Sequence, residues 1–216
     1  GINTDYFDPK KIKDKDKKLL KKKWNIEESK KIILLPSRLT EWKGHEIFIE
    51  AINILKKSLP DLDFVAIILG SDQGRKIYKK KIQRLIEQYR LIKDVLFIEH
   101  CKNMPLAYKI SDIVINCAIE PEAFGRVAVE AQAMEKVILA SNLGGAKETI
   151  VDNKTGFLFK ANDTNDLSNK LSHIFELDET TLKSMGNEGR KNTINKFNVE
   201  KMCFSTYSEY KKLINA

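Results

Sequence analysis

The stretch KIILLPSRLTEWKGHEIFIEAINILKKS, residues 31–58, contains one complete repeat of the architecture. Residues 31–37 are apolar without the polar alternation of a half-exposed strand, which is how a strand covered on both faces reads. Residues 45–58 place Ile47, Ile49 or Glu50, Ala51, Ile54 and Leu55 at helical spacing. A buried strand followed by an amphipathic helix is half of a crossover connection, and the pattern recurs. FVAIILG (64–70), VLFIEH (95–100), DIVINCA (112–118), VILAS (137–141) and GFLF (156–159) read as strands. RKIYKKKIQRLIEQYRL (75–91) reads as a helix with Ile77, Ile82, Leu85 and Ile86 on its apolar side. Strand and helix in alternation imply a parallel sheet with helices on both faces. The expected class is therefore α/β, a doubly wound parallel sheet.

The tail has a different character. From DTNDLSNKLSHIFEL onward the chain is almost continuously helical, with Asp163 placed to cap the first helix. Gly186 and Gly189 cost helix propensity in the next, and NVEKMCFSTYSEYKKLI forms a last amphipathic helix. A chain of 216 residues holds one sizeable core, so one domain, or one domain and a terminal appendage, is expected.

Composition sets bounds on function. With 42% hydrophobic and 31% charged residues the chain is ordinary globular material, and no apolar run approaches the roughly 20 residues of a spanning helix. A soluble chain is expected. The formal net charge is +8, with lysines crowded into residues 10–31. That segment reads as a solvated surface helix, or as a basic face for an anionic membrane or substrate. Nucleic acid is not expected, because no recognition helix or stacking motif accompanies the charge. Cys101, Cys117 and Cys203 are too few and too scattered for a disulfide framework or a metal site, and Cys117 reads as a small core residue. The scattered cysteines fit a reducing cytoplasmic compartment, and the opening GINTDYFDP is no signal peptide and carries no initiator Met, so a fragment or processed chain is expected.

In a doubly wound sheet ligands bind beyond the carboxyl ends of the strands. After residues 31–37 come Arg38 and Lys43, in a loop leading to a helix start. Two cations and a helix N-terminus make a diphosphate site, although solvated surface charges explain the loop equally well. Neither GxGxxG nor GxxxxGK[ST] occurs in the chain, which argues against nicotinamide enzymes and phosphate-loop nucleotidases. Gly144 and Gly145 precede a short helix, a turn that brings backbone close to a ligand or merely starts the helix.

EPEAFGRVAVEAQAM, residues 120–134, sets Glu122 and Glu130 eight positions apart in an apolar segment. On one continuous helix they would diverge by roughly 80°. Pro121 and Gly125 instead place Glu122 in a loop and start a helix near Gly125 or Arg126, with Glu130 in its second turn. Such a pair could bracket a polyhydroxyl ligand, with free N–H groups of Phe124, Gly125 and Arg126 facing the same pocket. Taken singly, Glu122 reads as a surface loop acid and Glu130 as a helix residue paired with a base.

Together these residues resemble a family. Glu122-x-Phe124-Gly125-x4-Glu130 is similar to the E-x7-E signature of retaining glycosyltransferases of the GT-B fold, family 4 (glycosyl transferases group 1). Arg38 with Lys43-Gly44 resembles its R-x4-K-G loop, Gly144-Gly145-x-x-Glu148 its glycine turn, and residues 152–157 its DG-x-TG-hydrophobic stretch. Residues 1–9 are similar to the start of the family's carboxyl-terminal domain.

The resemblance implies a Rossmann-like, nucleotide-sugar-binding domain over residues 1–216. The helix from about 199 to 216 would pack toward an amino-terminal acceptor domain absent from this chain. Arg38 and Lys43 would neutralise a donor diphosphate without metal or cofactor. Glu130 would hold the ribose and Glu122 the transferred sugar, with backbone at Phe124, Gly125 and Arg126 touching sugar or phosphate, and Gly144 and Gly145 lining the turn. Backbone near His100, Cys101 and Lys102 would meet the base. The family's G-x-G-P after the second strand is replaced by Gly70-Ser71-Asp72-Gln73-Gly74, and His45, His100 and His173 are not expected to be catalytic bases. The implied activity is transfer from a UDP-, GDP- or ADP-sugar to a glycan or lipid-linked acceptor in cell envelope polysaccharide synthesis. It would take place in the cytoplasm or at the inner face of the membrane, by front-face substitution. The alternatives are a GT-B epimerase or phosphorylase, and a basic module docking on a membrane through residues 10–23.

Overall fold

A computed structural model describes residues 1–214; Asn215 and Ala216, which the sequence reading assigned to the terminal helix, lie outside the described residues. Six strands form one sheet: β1 (Lys31–Pro36), β2 (Phe64–Leu69), β3 (Val95–Ile98), β4 (Ile113–Asn116), β5 (Val137–Ser141) and β6 (Phe157–Phe159). All neighbours are parallel, in the order β3-β2-β1-β4-β5-β6. The chain winds outward from β1 to β3, then returns to the other side of β1. Its direction therefore reverses between β1 and β4, which pair through Ile33↔Ile113 and Leu34↔Val114. The crevice above that pair is the topological switch point of a doubly wound sheet.

The helices are α1 (Asp14–Lys23), α2 (His45–Ser58), α3 (Lys76–Gln88), α4 (Met104–Ile110), α5 (Arg126–Ala133), α6 (Ala146–Thr149), α7 (Thr164–Glu176), α8 (Glu179–Lys196) and α9 (Val199–Ile214). Alternate strand residues enter two separate cores. Ile33, Leu35, Ala66 and Ile68 face α2, α3 and α7. Ile32, Leu34, Val65 and Ile67 face α1, α4 and α5. Both faces being dry is the reason these strands carry no polar alternation. Asp163 caps α7 by accepting from the Asp166 N–H at 3.0 Å.

Gly186 lies where α8 crosses the end of α5. A Cβ there would lie 2.3 Å from the Glu135 carbonyl oxygen, so close packing offsets the lost helix propensity. At the start of the chain the Ile2 N–H donates to the Phe197 carbonyl, and the Val199 N–H donates to the Ile2 carbonyl, both at 2.9 Å. The opening segment is thereby tied to the α8–α9 junction. No residue of α9 is buried, and among the described residues no helix is long and apolar enough to cross a membrane.

Two readings need correction. Ile77 is 87% exposed, and Tyr78 takes the inward position on α3, because the buried row runs through Tyr78, Ile82 and Ile86. Helix α4 was not anticipated. It has only seven residues, and its signals are Asn103, whose side chain accepts from the Leu106 N–H, and a proline in the first turn.

Candidate functional site

Three loops meet at the switch point, following β1, β4 and β5. They are locked by backbone rather than by long side chains. Gly44, at φ 70°, is the left-handed joint between a short 3-10 turn (Glu41–Lys43) and α2. A Cβ on it would lie 1.9 Å from the Cys117 carbonyl oxygen. The Ile119 N–H donates to the Trp42 carbonyl at 2.8 Å, and the Gly145 N–H to the Glu122 carbonyl at 2.7 Å. Gly144, at φ 53°, would put a Cβ 2.6 Å from that same Glu122 oxygen. The steric requirement for this glycine pair is thus the neighbouring 121–124 backbone.

Glu122 sits in the loop after β4, as the sequence predicts. One carboxylate oxygen accepts from the Lys43 ammonium and the other from the Asn116 amide at 2.6 Å. Lys43 is no solvated surface charge: its side chain is 10% exposed, and Glu122's is 16%. The Lys43 ammonium also lies over the Trp42 ring, 4.2 Å from its centroid. Arg38 is exposed and makes no ion pair among the described residues, so its guanidinium is available to a ligand.

Helix α5 begins at Arg126, and Glu130 on its second turn is buried. Its carboxylate accepts from the Tyr108 hydroxyl at 2.8 Å and from the Arg126 guanidinium at 2.9 and 3.2 Å. Glu122 and Glu130 therefore stand in separate hydrogen-bonded sets on either side of the α5 start. The backbone N–H groups of Phe124, Gly125 and Arg126 donate to nothing among the described residues, which leaves three donors at that start. The Phe124 ring packs edge-on against Phe197, 6.0 Å between centroids.

His100, Cys101 and Lys102 follow β3, three strand positions from β4, or about 14 Å at ordinary strand spacing. The structure places them on the same edge, apart from Glu122. The Lys102 carbonyl accepts from the Tyr6 hydroxyl at 3.4 Å, and the Cys101 thiol donates to the Asn103 carbonyl at 3.3 Å.

His45 is fully buried at the start of α2, bonded to Ser37 Oγ at 2.8 Å and to the Tyr78 hydroxyl at 3.5 Å. Burial lowers its pKa to about 4, which makes it a neutral brace rather than a proton carrier. Burial likewise pushes the Cys117 thiol up to about 12, leaving it an inert core residue.

Asn116, Tyr108 and the Ser37–His45 brace are the functional neighbours that sequence reasoning missed. Asn116 left a trace, a polar residue closing the apolar run of β4. Tyr108 left none, because it reaches Glu130 from the unanticipated α4. The arrangement offers a charged pair and an exposed guanidinium, open N–H groups at a helix start, and two carboxylates held in separate hydrogen-bonded sets.

Residues 16–192 match the family model described as glycosyl transferases group 1. A D-inositol 3-phosphate glycosyltransferase of Paenarthrobacter aurescens is 33% identical over 156 residues, covering 71% of this chain and 37% of that protein. Among solved structures, a glycosyltransferase from Rickettsia africae superposes with a TM-score of 0.94 at 34% identity, over 99% of this chain and 56% of that one. The fold is shared by Anabaena HepE, solved with UDP and glucose, with a TM-score of 0.88 at 23% identity over 98% of this chain and 55% of the other. The chain thus spans between about a third and somewhat over half of the length of these proteins. Its sheet and helices are those of the Rossmann-like carboxyl-terminal domain of the GT-B fold, and the chain belongs to the glycosyl transferases group 1 family.

Proposed function

We propose that this chain is the donor-binding half of a retaining glycosyltransferase that moves a hexose from a nucleoside-diphosphate sugar to a glycan or lipid-linked acceptor. The observation that carries this reading is the pair of buried Lys43 and part-buried Glu122 at the switch point, with Arg38 exposed in the same loop. An ammonium has three donors, and Glu122 occupies one direction. A donor diphosphate approaching from the open side would complete the shell of Lys43 and recruit Arg38. The two cations then stabilise the charge that develops on the departing nucleotide, and no step requires a metal. Glu122, held on both oxygens, acts as a fixed negative charge beside the sugar ring rather than as a roaming base. Glu130 receives ribose hydroxyls in place of its present partners. The Phe124–Arg126 N–H groups meet phosphate or sugar, Gly144 and Gly145 line the same floor, and backbone near His100–Lys102 receives the base.

Helix α9 belongs to the same reading. Phe204, Tyr207, Tyr210, Leu213 and Ile214 are all at least 62% exposed on it, and they would pack on an acceptor domain supplied by a longer chain. Work on polysaccharide of the cell envelope, at the inner face of the membrane, is the setting this chemistry suits.

The test is calorimetry with UDP, GDP and ADP. One of the three is expected to bind, UDP being the first choice because the Anabaena fold neighbour holds it. Arg38→Ala should weaken that binding at least about tenfold, the usual scale for a hydrogen bond to a charged group. Unchanged affinity in Arg38→Ala would sink the diphosphate assignment. For the full-length enzyme, the anomeric proton coupling of the first-formed product should match that of the donor. An inverted product would overturn retention.

A further inference from the structure

We propose that the outer face of α1, continued by the basic cleft beside it, is a docking surface for an anionic lipid bilayer. Residues 10–31 hold eleven lysines against Asp14, Asp16, Glu27 and Glu28, a net +7 within the +8 of the whole chain. The remaining surface is close to neutral, so one segment decides how the molecule meets a charged partner.

The structure sorts these lysines into two groups. The inner side of α1 sends Leu20 into the core, and Trp24 follows it at the helix end. Lys17 and Lys21, on the flanks, pair with Asp14 at 2.7 Å and Glu28 at 3.6 Å. The outer row is Lys15, Lys18, Leu19 and Lys22, spaced i, i+3, i+4, i+7, and all four are exposed. Lys15, Lys18 and Lys22 make no ion pair among the described residues. Like charges three and four positions apart repel one another on a helix, so this row is relieved when an external negative surface arrives.

Leu19 decides what kind of surface that is. It is 63% exposed in the centre of the ammonium row. A large apolar side chain ringed by lysines suits a headgroup layer, where the leucine enters the acyl boundary and the lysine stems lie flat with their ammonium groups outward. The row contains neither arginine nor an aromatic ring, the groups that fork onto phosphates or stack on bases, and a nucleic acid is the poorer fit.

Beyond the row a cleft of about 400 Å³ carries Lys30, Lys31, Lys109 and Lys136 on its walls against Asp14, Glu28 and Asp112, with Lys30 paired to Asp63 and Lys31 to Asp112, so it is a weaker continuation of the positive face. The cleft opens at the amino-terminal ends of β1, β4 and β5. The candidate donor site occupies the opposite edge of the sheet, so a docked molecule keeps it open.

The experiment is sedimentation of the chain with vesicles of phosphatidylcholine, with or without about one third phosphatidylglycerol. The chain should pellet with the anionic vesicles alone and come off in about 1 M salt, where the screening length falls to about 3 Å. Each lysine at such a surface contributes about fivefold in partition, so Lys15→Gln/Lys18→Gln/Lys22→Gln should lower it by about a hundredfold. A matched control, Lys57→Gln/Lys80→Gln/Lys93→Gln, should stay within about twofold. Equal pelleting with neutral vesicles, a control as damaging as the α1 variant, or an α1 variant that binds like the parent overturns the proposal. So does tighter binding to duplex RNA than to vesicles in the same buffer. Nucleotide binding of the α1 variant is measured alongside and should not change, so failure here is distinguishable from failure of the donor-site reading.

Discussion

Glu122 and Lys43 show how a residue's worth depends on what its partner is left with. Removing one member of a fully buried ion pair strands the other charge at a cost of about 3–5 kcal/mol, and the part-buried Glu122 belongs at or below the low end of that range. Glu122→Ala is therefore expected to lower stability by up to about 3 kcal/mol as well as turnover of the full-length enzyme, while Glu122→Gln, which still accepts from Lys43 but no longer balances its charge, should recover only part of that stability and still lose turnover. Urea unfolding and initial rates on both variants separate the two effects, and an alanine variant as stable as the parent would deny the pair its burial. His45 yields a pH prediction. Its folded pKa of about 4 lies below the ordinary unfolded value near 6.5, so between those values the unfolded chain takes up a proton that the folded chain refuses. Stability from this group is present above about pH 6.5 and is lost as pH falls toward 4, by ~3 kcal/mol in all. Parallel unfolding curves at pH 7 and pH 4.5 should show a smaller drop for His45→Gln than for the parent; equal drops would contradict a neutral buried brace. At this scale the sequence announced the acids and bases but not their company. Glu122, Glu130, Arg38 and Lys43 stood out by type and spacing. The partners Asn116 and Tyr108 come from other elements, and only the folded chain brings them within reach.

At the scale of elements, strands and long helices were legible because burial on both faces, or on one stripe, leaves a period in the sequence. β1 and α2 match their predicted limits to within a residue. Short elements were not legible. Helix α4 is two turns long, and its existence depends more on Asn103 capping and on packing against α1 than on periodicity. The phase of α3 was misjudged at Ile77 because the helix starts at Lys76, so no preceding turn fixes which side faces the sheet. The joints between elements are where glycine matters most. Gly44→Ala would force a left-handed backbone on alanine and drive its Cβ into the Cys117 carbonyl, 1.9 Å away. Gly74, also left-handed at φ 83°, would place its Cβ with nothing within 4 Å. The alanine variant at Gly74 should cost about 1–2 kcal/mol, the conformational term alone. The variant at Gly44 should cost clearly more and should also weaken nucleotide binding. Equal unfolding midpoints for the two variants would show that the Gly44–Cys117 contact yields without cost.

For the whole molecule, the order β3-β2-β1-β4-β5-β6 explains why the loops after β1, β4 and β5, distant in sequence, meet at one edge of the sheet. The doubly wound class was readable from alternation, and the position of the crevice follows once β1 and β4 are neighbours. What alternation does not encode is how α9 ends up without a buried residue. If α9 is the seat of an acceptor domain, its amides should exchange with solvent rapidly in this chain and be protected in the longer protein. Exchange that is equally fast in both would place the contact elsewhere. The interlocked backbone of the three crevice loops also bears on any attempt to exchange them. Because Gly44 rests on Cys117, Ile119 on Trp42 and Gly145 on Glu122, a loop borrowed from a relative would arrive without its mating surfaces. Residues 37–44, 117–125 and 142–148 form one transplantable cassette, to be exchanged together or left alone.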